Sequence, residues 1–167
     1  GLALLGPGGS GKTTLLRVLA GVLDPDEGTR TVRGRVAALL STDAGLLGPL
    51  TGRENAELLG VLYGRTAAQA RAGLDAVRDA SRLDEAFERP VHTYSQGMRA
   101  RLALALAEQT APDVLLLDEV HEVLDHAFRT VLEQRAAAIC AAGGIVVAAG
   151  HDHPLLARLA TRALWLE

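Results

Sequence analysis

Cysteine, lysine and excess positive charge are all scarce in this chain. Cys140 is the sole cysteine, so no disulfide can close within the chain, and the cytosol is the expected compartment. The formal net charge is −3, which leaves no overall basic field to draw nucleic acid. No nucleic-acid partner is therefore expected. No uninterrupted apolar stretch approaches the roughly 20 residues of a membrane-spanning helix, and no signal-peptide pattern opens the sequence. Any membrane role should come through a partner. Internal repeats, heptad seams and low-complexity tracts are also missing. What remains is 167 residues, 49% hydrophobic, enough to bury one sizeable core and read here as a single domain over residues 1–167.

The one lysine, Lys12, stands in a telling place. The stretch Gly6, Pro7, Gly8, Gly9, Ser10, Gly11, Lys12, Thr13, Thr14 fits G-x-x-x-x-G-K-[ST], the phosphate-binding P-loop. An apolar run at residues 1–5 leads in, and a helical pattern at residues 14–19, ending near Gly21, leads out. A nucleoside triphosphate is polyanionic and needs many donors close by. Glycines let the backbone curl so that successive N–H groups turn inward, and the following helix adds its positive end. Lys12 can reach the β- and γ-phosphates as a point charge, and the Thr13 hydroxyl suits Mg²⁺. A Gly-rich turn before a helix can be only a turn. Yet chance alone would put the sole lysine at this slot roughly once in 167 positions.

Taken in order, residues 24–28 read as a turn and residues 30–40 as a strand. Residues 41–49 are a Gly-rich loop. Thr51 and Glu54 form a capping box that opens a helix bearing Leu58, Leu59, Val61 and Leu62. Residues 66–81 read as a second helix, and residues 83–87 as a further helical turn. A strong helical run spans residues 99–108, with Leu102, Leu104 and Leu106 expected to be buried. Residues 114–117 form a continuous apolar run of the kind that makes a central parallel strand. A helix at 128–142, a buried strand at 144–150, a short helix at 154–161 and a last strand at 162–167 complete the pattern. Strands alternating with helices predict an α/β fold with a mostly parallel sheet flanked by helices.

The run at 114–117 ends in Asp118 and Glu119. Carboxylates at the C-terminal end of a buried strand lie where open α/β sheets bind ligands. Asp118 would hold Mg²⁺, directly or through water, and Glu119 would polarise an attacking water beside the γ-phosphate. His151 ends the next apolar strand at the same ligand edge, where a neutral imidazole can bond a γ-phosphate oxygen. His92, His121, His126 and His153 are expected to be structural or surface residues. His151 and His153 are two potential metal ligands without a third.

The order of these motifs carries a resemblance. A P-loop, then Tyr94, Ser95, Gln96, Gly97 and Met98, then the Asp118–Glu119 strand end, Leu124 and Asp125, and finally His151 and Asp152 resemble the nucleotide-binding domain of an ABC transporter. The likeness covers the whole chain. It implies a P-loop NTPase fold with a helical subdomain at about residues 50–105, inserted before the signature. Ser95 and Gly97 match the signature, with Gln96 and Met98 departing from the usual L-S-G-G-Q. Asp125 falls on the D-loop aspartate and His151 on the switch histidine. The resemblance further implies a head-to-tail homodimer sandwiching two ATP molecules with Mg²⁺. There the signature residues, Tyr94 to Gly97, meet the nucleotide held by the partner's P-loop.

A narrower likeness is visible in residues 50–55, 93–95, 118–120 and 162–167. These segments resemble the ATPases that export O-antigen, capsule or teichoic acid. They imply an integral-membrane permease partner docked near the loop over residues 41–55 and the helices after it, and a place at the cytoplasmic face of the membrane. The family's Q-loop glutamine would fall near Thr42. No glutamine occurs between Lys12 and Gln69, a trait that polysaccharide exporters share. The family also stacks adenine on an aromatic upstream of the P-loop, whereas the first aromatic here is Tyr63. Together with the start of the chain so close to the P-loop, this suggests an N-terminally truncated form. Three other readings stay open: a non-catalytic nucleotide-binding or regulatory ABC-like module, an ABC ATPase for another substrate, and a DNA-repair or chromosome-segregation ATPase, against which the missing heptads and the acidic balance argue.

Overall fold

A computed structural model describes residues 1–41, 43 and 45–167. Thr42, the expected Q-loop position, lies outside the described residues. In chain order the elements are β1 (Leu2–Leu5), α1 (Lys12–Ala20), β2 (Val36–Leu39), α2 (Gly52–Leu62), α3 (Ala67–Ala72), α4 (Leu74–Ser81) and α5 (Gln96–Gln109). There follow β3 (Val114–Asp118), α6 (His126–Ala141), β4 (Ile145–Ala149), α7 (His153–Leu159) and β5 (Arg162–Trp165). The described chain divides into two compact units, Gly1–Ser41 with Pro112–Glu167, and Thr42–Ala111.

The first unit is built on a parallel sheet of order β2-β3-β4-β1-β5. A strand covered on both faces needs an unbroken apolar run, and β3 supplies one, with every residue from Val114 to Asp118 buried. The crossover from β1 to β2 runs one way across the sheet, and those from β3 to β4 and from β4 to β5 run the other way. Right-handed connections therefore put α1 on one face and α6 and α7 on the opposite face. Side-chain alternation agrees: Leu4, Val114, Leu116, Val147 and Ala149 cluster with Leu16 of α1. On the other side, Phe128 and Leu132 of α6 and Leu155 and Leu156 of α7 are buried. Edge strand β5 is exposed along its length, and its Trp165 pairs in register with Leu5.

The second unit is helical. Leu59, Leu74, Val77, Leu83, Phe87, Val91, Leu102 and Leu106 form its core. The capping box at the start of α2 forms as expected: Thr51 Oγ1 accepts from Glu54 N–H, and the Glu54 carboxylate accepts from Thr51 N–H. This partnership holds the Glu54 carboxyl below the usual carboxylate range, the backbone N–H of Thr51 being the main cause. Asn55 is fully buried with its amide satisfied. Its Oδ1 accepts from Leu47 N–H at 2.7 Å, and its Nδ2 donates to the carbonyls of Leu47, Leu50 and Thr51. That single side chain fastens the loop before α2 to the helix itself.

Element boundaries depart from expectation in several places. The strand expected over 30–40 is only Val36–Leu39. Gly34 takes φ 100°, and the Arg30 guanidinium is engaged upstream, donating to Leu19 O at the end of α1. The helix expected over 66–81 is two helices meeting at Gly73, which ends α3 and opens α4. Finally, α1 and α5 begin earlier than expected, at Lys12 and Gln96, directly on the P-loop and the signature. The turn expected at 83–87 is a 3-10 turn over Asp84–Glu88.

Candidate functional site

The loop after β1 is shaped by its glycines. Gly6 sits at φ 148°, and a Cβ there would lie 2.3 Å from the Leu166 carbonyl oxygen and 2.7 Å from Ser10 Oγ. No side chain fits without moving backbone. Gly9 and Gly11 take φ 82° and 91°, left-handed values that glycine tolerates without strain. Ser10 N–H donates back to Pro7 O at 3.2 Å, closing a turn. Lys12, the first residue of α1, folds over this turn. Its amine donates to the carbonyls of Gly6 and Pro7 at 2.9 and 2.8 Å and approaches Ser10 Oγ at 3.5 Å. With 8% of its surface exposed, Lys12 is a cation held inside the loop it follows. Thr13 is half-buried in the first turn of α1, and Thr14 is exposed.

Strand register brings the acidic pair to the same edge. Ala149 of β4 is level with Leu4 of β1 on one side and with Asp118 of β3 on the other. Asp118 therefore lies two strand spacings from the P-loop end of β1, about 10 Å. Asp118 as a whole is 8% exposed, and among the described residues its carboxylate makes no hydrogen bond or ion pair. A carboxylate at a strand end with no donor bound to it is open to a cation. Magnesium binds through one or two carboxylates, hydroxyls, water and substrate phosphates rather than an all-protein cage. Asp118 and the Thr13 hydroxyl fit that donor set, and no cluster of three metal-ligating side chains occurs among the described residues. His151 and His153 accordingly gain no third ligand there.

Glu119 departs from the strand at φ 58°, in the left-handed region that non-glycine residues seldom occupy. Its N–H donates to Ala149 O at 2.9 Å, which pins the turn to β4. Such conformations persist where surrounding structure over-determines them, and they cluster at functional sites. The Glu119 side chain reaches into solvent, with Oε1 3.4 Å from His151 Nε2. The structure thus brings Glu119 and His151 together. Asp125 caps α6 by accepting from Phe128 N–H at 2.8 Å.

Two residues here carried no signal in the sequence, and a third, His121, takes the structural place expected of it. Arg129 of α6 donates to Leu124 O and Glu122 O, both at 2.9 Å, and to the Asp152 carboxylate at 2.7 Å. Glu122 accepts from the backbone N–H groups of His151 and Asp152. His121 is fully buried and neither ring nitrogen has a hydrogen-bond partner among the described residues. Burial pushes its imidazole below the usual histidine range. Arg129 adds to that, while Glu122, Asp152 and Asp118 oppose it. The partners of Glu122 and Arg129 are up to 30 residues away in sequence, so only a fold could reveal them. His92, His126 and His153 are exposed.

Within the helical unit, Ser95 caps α5, its hydroxyl accepting from Met98 N–H at 3.2 Å. Gln96 and Gly97 form the first turn of that helix, with Ser95 and Gln96 exposed. A helix N-terminus leaves backbone donors free for an anion. Tyr94, counted among the nucleotide-binding residues, is placed otherwise. Its side chain is buried in the unit's core, and its hydroxyl donates to Ala86 O at 2.5 Å, which leaves no open donor.

Comparison with known proteins agrees with this geometry. Residues 1–122 match the family model described as ABC transporter. Over 166 residues, 99% of the chain, the sequence is 34% identical to an O-antigen export system ATP-binding protein of Klebsiella pneumoniae, spanning 68% of that protein. It is 35% identical to the corresponding protein of Myxococcus xanthus, but spans only 38% of its length. It is also 34% identical to a teichoic acids export ATP-binding protein of Bacillus anthracis, of which it spans 30%. Among solved structures, the dimeric post-hydrolysis state of an ATP-binding cassette bound to ADP and Pi superposes with a TM-score of 0.82. That likeness covers 99% of this chain and 80% of the other at 24% identity, and it speaks to the fold. With the motifs, the strand order and the relatives in agreement, this chain belongs to the ABC transporter family.

Proposed function

We propose that the protein binds ATP and hydrolyses it to drive export of a cell-envelope polysaccharide through an integral-membrane permease. The reading rests on one observation above all: the P-loop and the Asp118–Glu119 turn leave the same edge of one parallel sheet, joined by Ala149 in register with both strands. ATP phosphates lie in the cradle of residues 6–14, where Lys12 exchanges the carbonyls of Gly6 and Pro7 for β- and γ-phosphate oxygens. Thr13 and Asp118 hold Mg²⁺, which offsets the negative charge of the triphosphate. Glu119 accepts a proton from water as the water oxygen bonds to the γ-phosphorus. The bond from that phosphorus to the bridging oxygen breaks, leaving ADP and phosphate. His151 orients the γ-phosphate from just beyond the end of β4.

The family's arrangement places Tyr94, Ser95, Gln96, Gly97 and Asp125 at the nucleotide of a partner copy in a head-to-tail dimer. The free donors at the start of α5 and the exposure of Ser95 and Asp125 support that assignment for all but the Tyr94 side chain. The chain is read as a single ABC ATPase domain with a helical subdomain at about residues 50–105, which the compact unit Thr42–Ala111 supports. Among the described residues no helix is long and apolar enough to cross a membrane, and the relatives' names favour attachment through a permease at the cytoplasmic face.

The test is a pair of variants. Glu119→Gln keeps ATP binding and lowers steady-state hydrolysis at least about a hundredfold, the usual worth of a general base. Lys12→Ala removes detectable ATP binding by calorimetry. Wild-type turnover in Glu119→Gln, or unchanged affinity in Lys12→Ala, would overturn the reading.

A further inference from the structure

We propose that Glu122 is a positioning residue that sets the place of His151 opposite Glu119; the inference rests on the ATP-hydrolysis reading above. The His151 side chain is 62% exposed, so packing cannot fix its ring. Its position is inherited from its backbone, and Glu122 holds that backbone. The Glu122 Oε1 accepts from both His151 N–H and Asp152 N–H. The same residue is tied to the other member of the pair, its own N–H donating to Glu119 O at 2.9 Å. One side chain and one amide therefore link the backbones of Glu119 and His151, two residues from different strand ends.

The surroundings are shaped for this link. A Cβ on Gly150 would lie 2.6 Å from Glu122 Oε1 and 2.7 Å from His121 Nε2, so the glycine lets the carboxylate come up against the chain. Arg129 fixes the brace from behind, donating to Glu122 O and to the Asp152 carboxylate. Asp152 in turn accepts from Leu155 N–H at 3.0 Å and anchors the start of α7. Removing the Glu122 carboxylate leaves two backbone donors without their acceptor and frees the segment carrying His151. A misplacement of an ångström at a reacting centre lowers rate far more than it weakens binding.

The experiment combines steady-state ATPase assays and ATP calorimetry on the intact protein with amide hydrogen exchange. Glu122→Ala lowers kcat about ten- to hundredfold, while ATP affinity stays within about twofold because the P-loop is untouched. Glu122→Gln, which keeps a carboxamide oxygen to accept the same N–H groups, restores kcat to within about threefold of wild type. In a His151→Ala background Glu122→Ala adds no further loss, since it acts through that residue. Exchange at the His151 and Asp152 amides accelerates in Glu122→Ala and not in Glu122→Gln. Should Glu122→Ala not fold, Glu122→Asp, one methylene short, gives the same split. Wild-type kcat without the carboxylate, or a loss that multiplies with His151→Ala, overturns the proposal. If the wild-type protein binds ATP without hydrolysing it, the functional reading alone fails. Amide exchange then decides the brace, with unchanged exchange in Glu122→Ala refuting it.

Discussion

His121 shows how one residue can tie stability to pH. It is fully buried beside the acidic pair with neither ring nitrogen satisfied among the described residues, and Glu122, Asp152, Asp118 and Arg129 are the charged groups acting on it. Burial lowers its pKa in the folded chain, whereas in the unfolded chain it titrates near 6.5. Below that value the unfolded chain takes up a proton that the folded chain refuses. Stability from a neutral His121 is thus complete above about pH 6.5 and declines as pH falls toward the lowered folded value. Urea denaturation should show a lower midpoint at pH 5.5 than at pH 7.5, and His121→Leu should flatten that slope. An identical slope in the variant would mean that the imidazole is not held neutral. The residues proposed for phosphate chemistry carry their signal in the sequence because each occupies a fixed spacing: Gly6 to Thr13, Asp118 to Glu119. Glu122 and Arg129 do not, because their meaning lies in partners brought close only by the fold.

At the scale of elements, local signals were read well and long-range ones poorly. The Thr51–Glu54 cap and the apolar strand ending at Asp118 announce themselves within a few residues. The shortening of β2 goes with Arg30 reaching the end of α1 and with Gly34 turning the chain, which periodicity cannot foresee, and the break at Gly73 interrupts a run whose polar spacing reads as one helix. Asn55 is the element-scale counterpart of Glu122, a buried polar group whose bonds hold a loop in place. Asn55→Ala leaves Leu47 N–H and the Leu47 and Leu50 carbonyls without that partner, a loss of about 1–3 kcal/mol for a buried group. For a chain of this size that lowers Tm by roughly 2–4 °C per kcal/mol, measurable by thermal denaturation. An unchanged Tm would show that the loop over residues 47–51 does not depend on it.

At the scale of the whole molecule, the fold class was readable because alternating strands and helices leave few topologies open once crossovers must be right-handed. Strand order was not readable, since nothing in β4 says that it pairs with both β1 and β3. The family's head-to-tail assembly provides the test at this level. ATP with Mg²⁺ should drive the Glu119→Gln protein from monomer to dimer in sedimentation experiments, because slowed hydrolysis would preserve the nucleotide that both copies share in the proposed dimer. Ser95→Arg, which crowds the start of α5, should prevent that shift while leaving ATP binding by the single copy intact. A dimer that persists in Ser95→Arg would place the signature away from the interface.

Trp165 is the chain's single tryptophan, 60% exposed on β5 and level with Leu5, the residue before the phosphate loop. The molecule consequently carries one indole emitter, with no second to blur its signal, alongside the glycine turn where phosphates are proposed to settle. Its emission spectrum can report events at that turn without any dye or label.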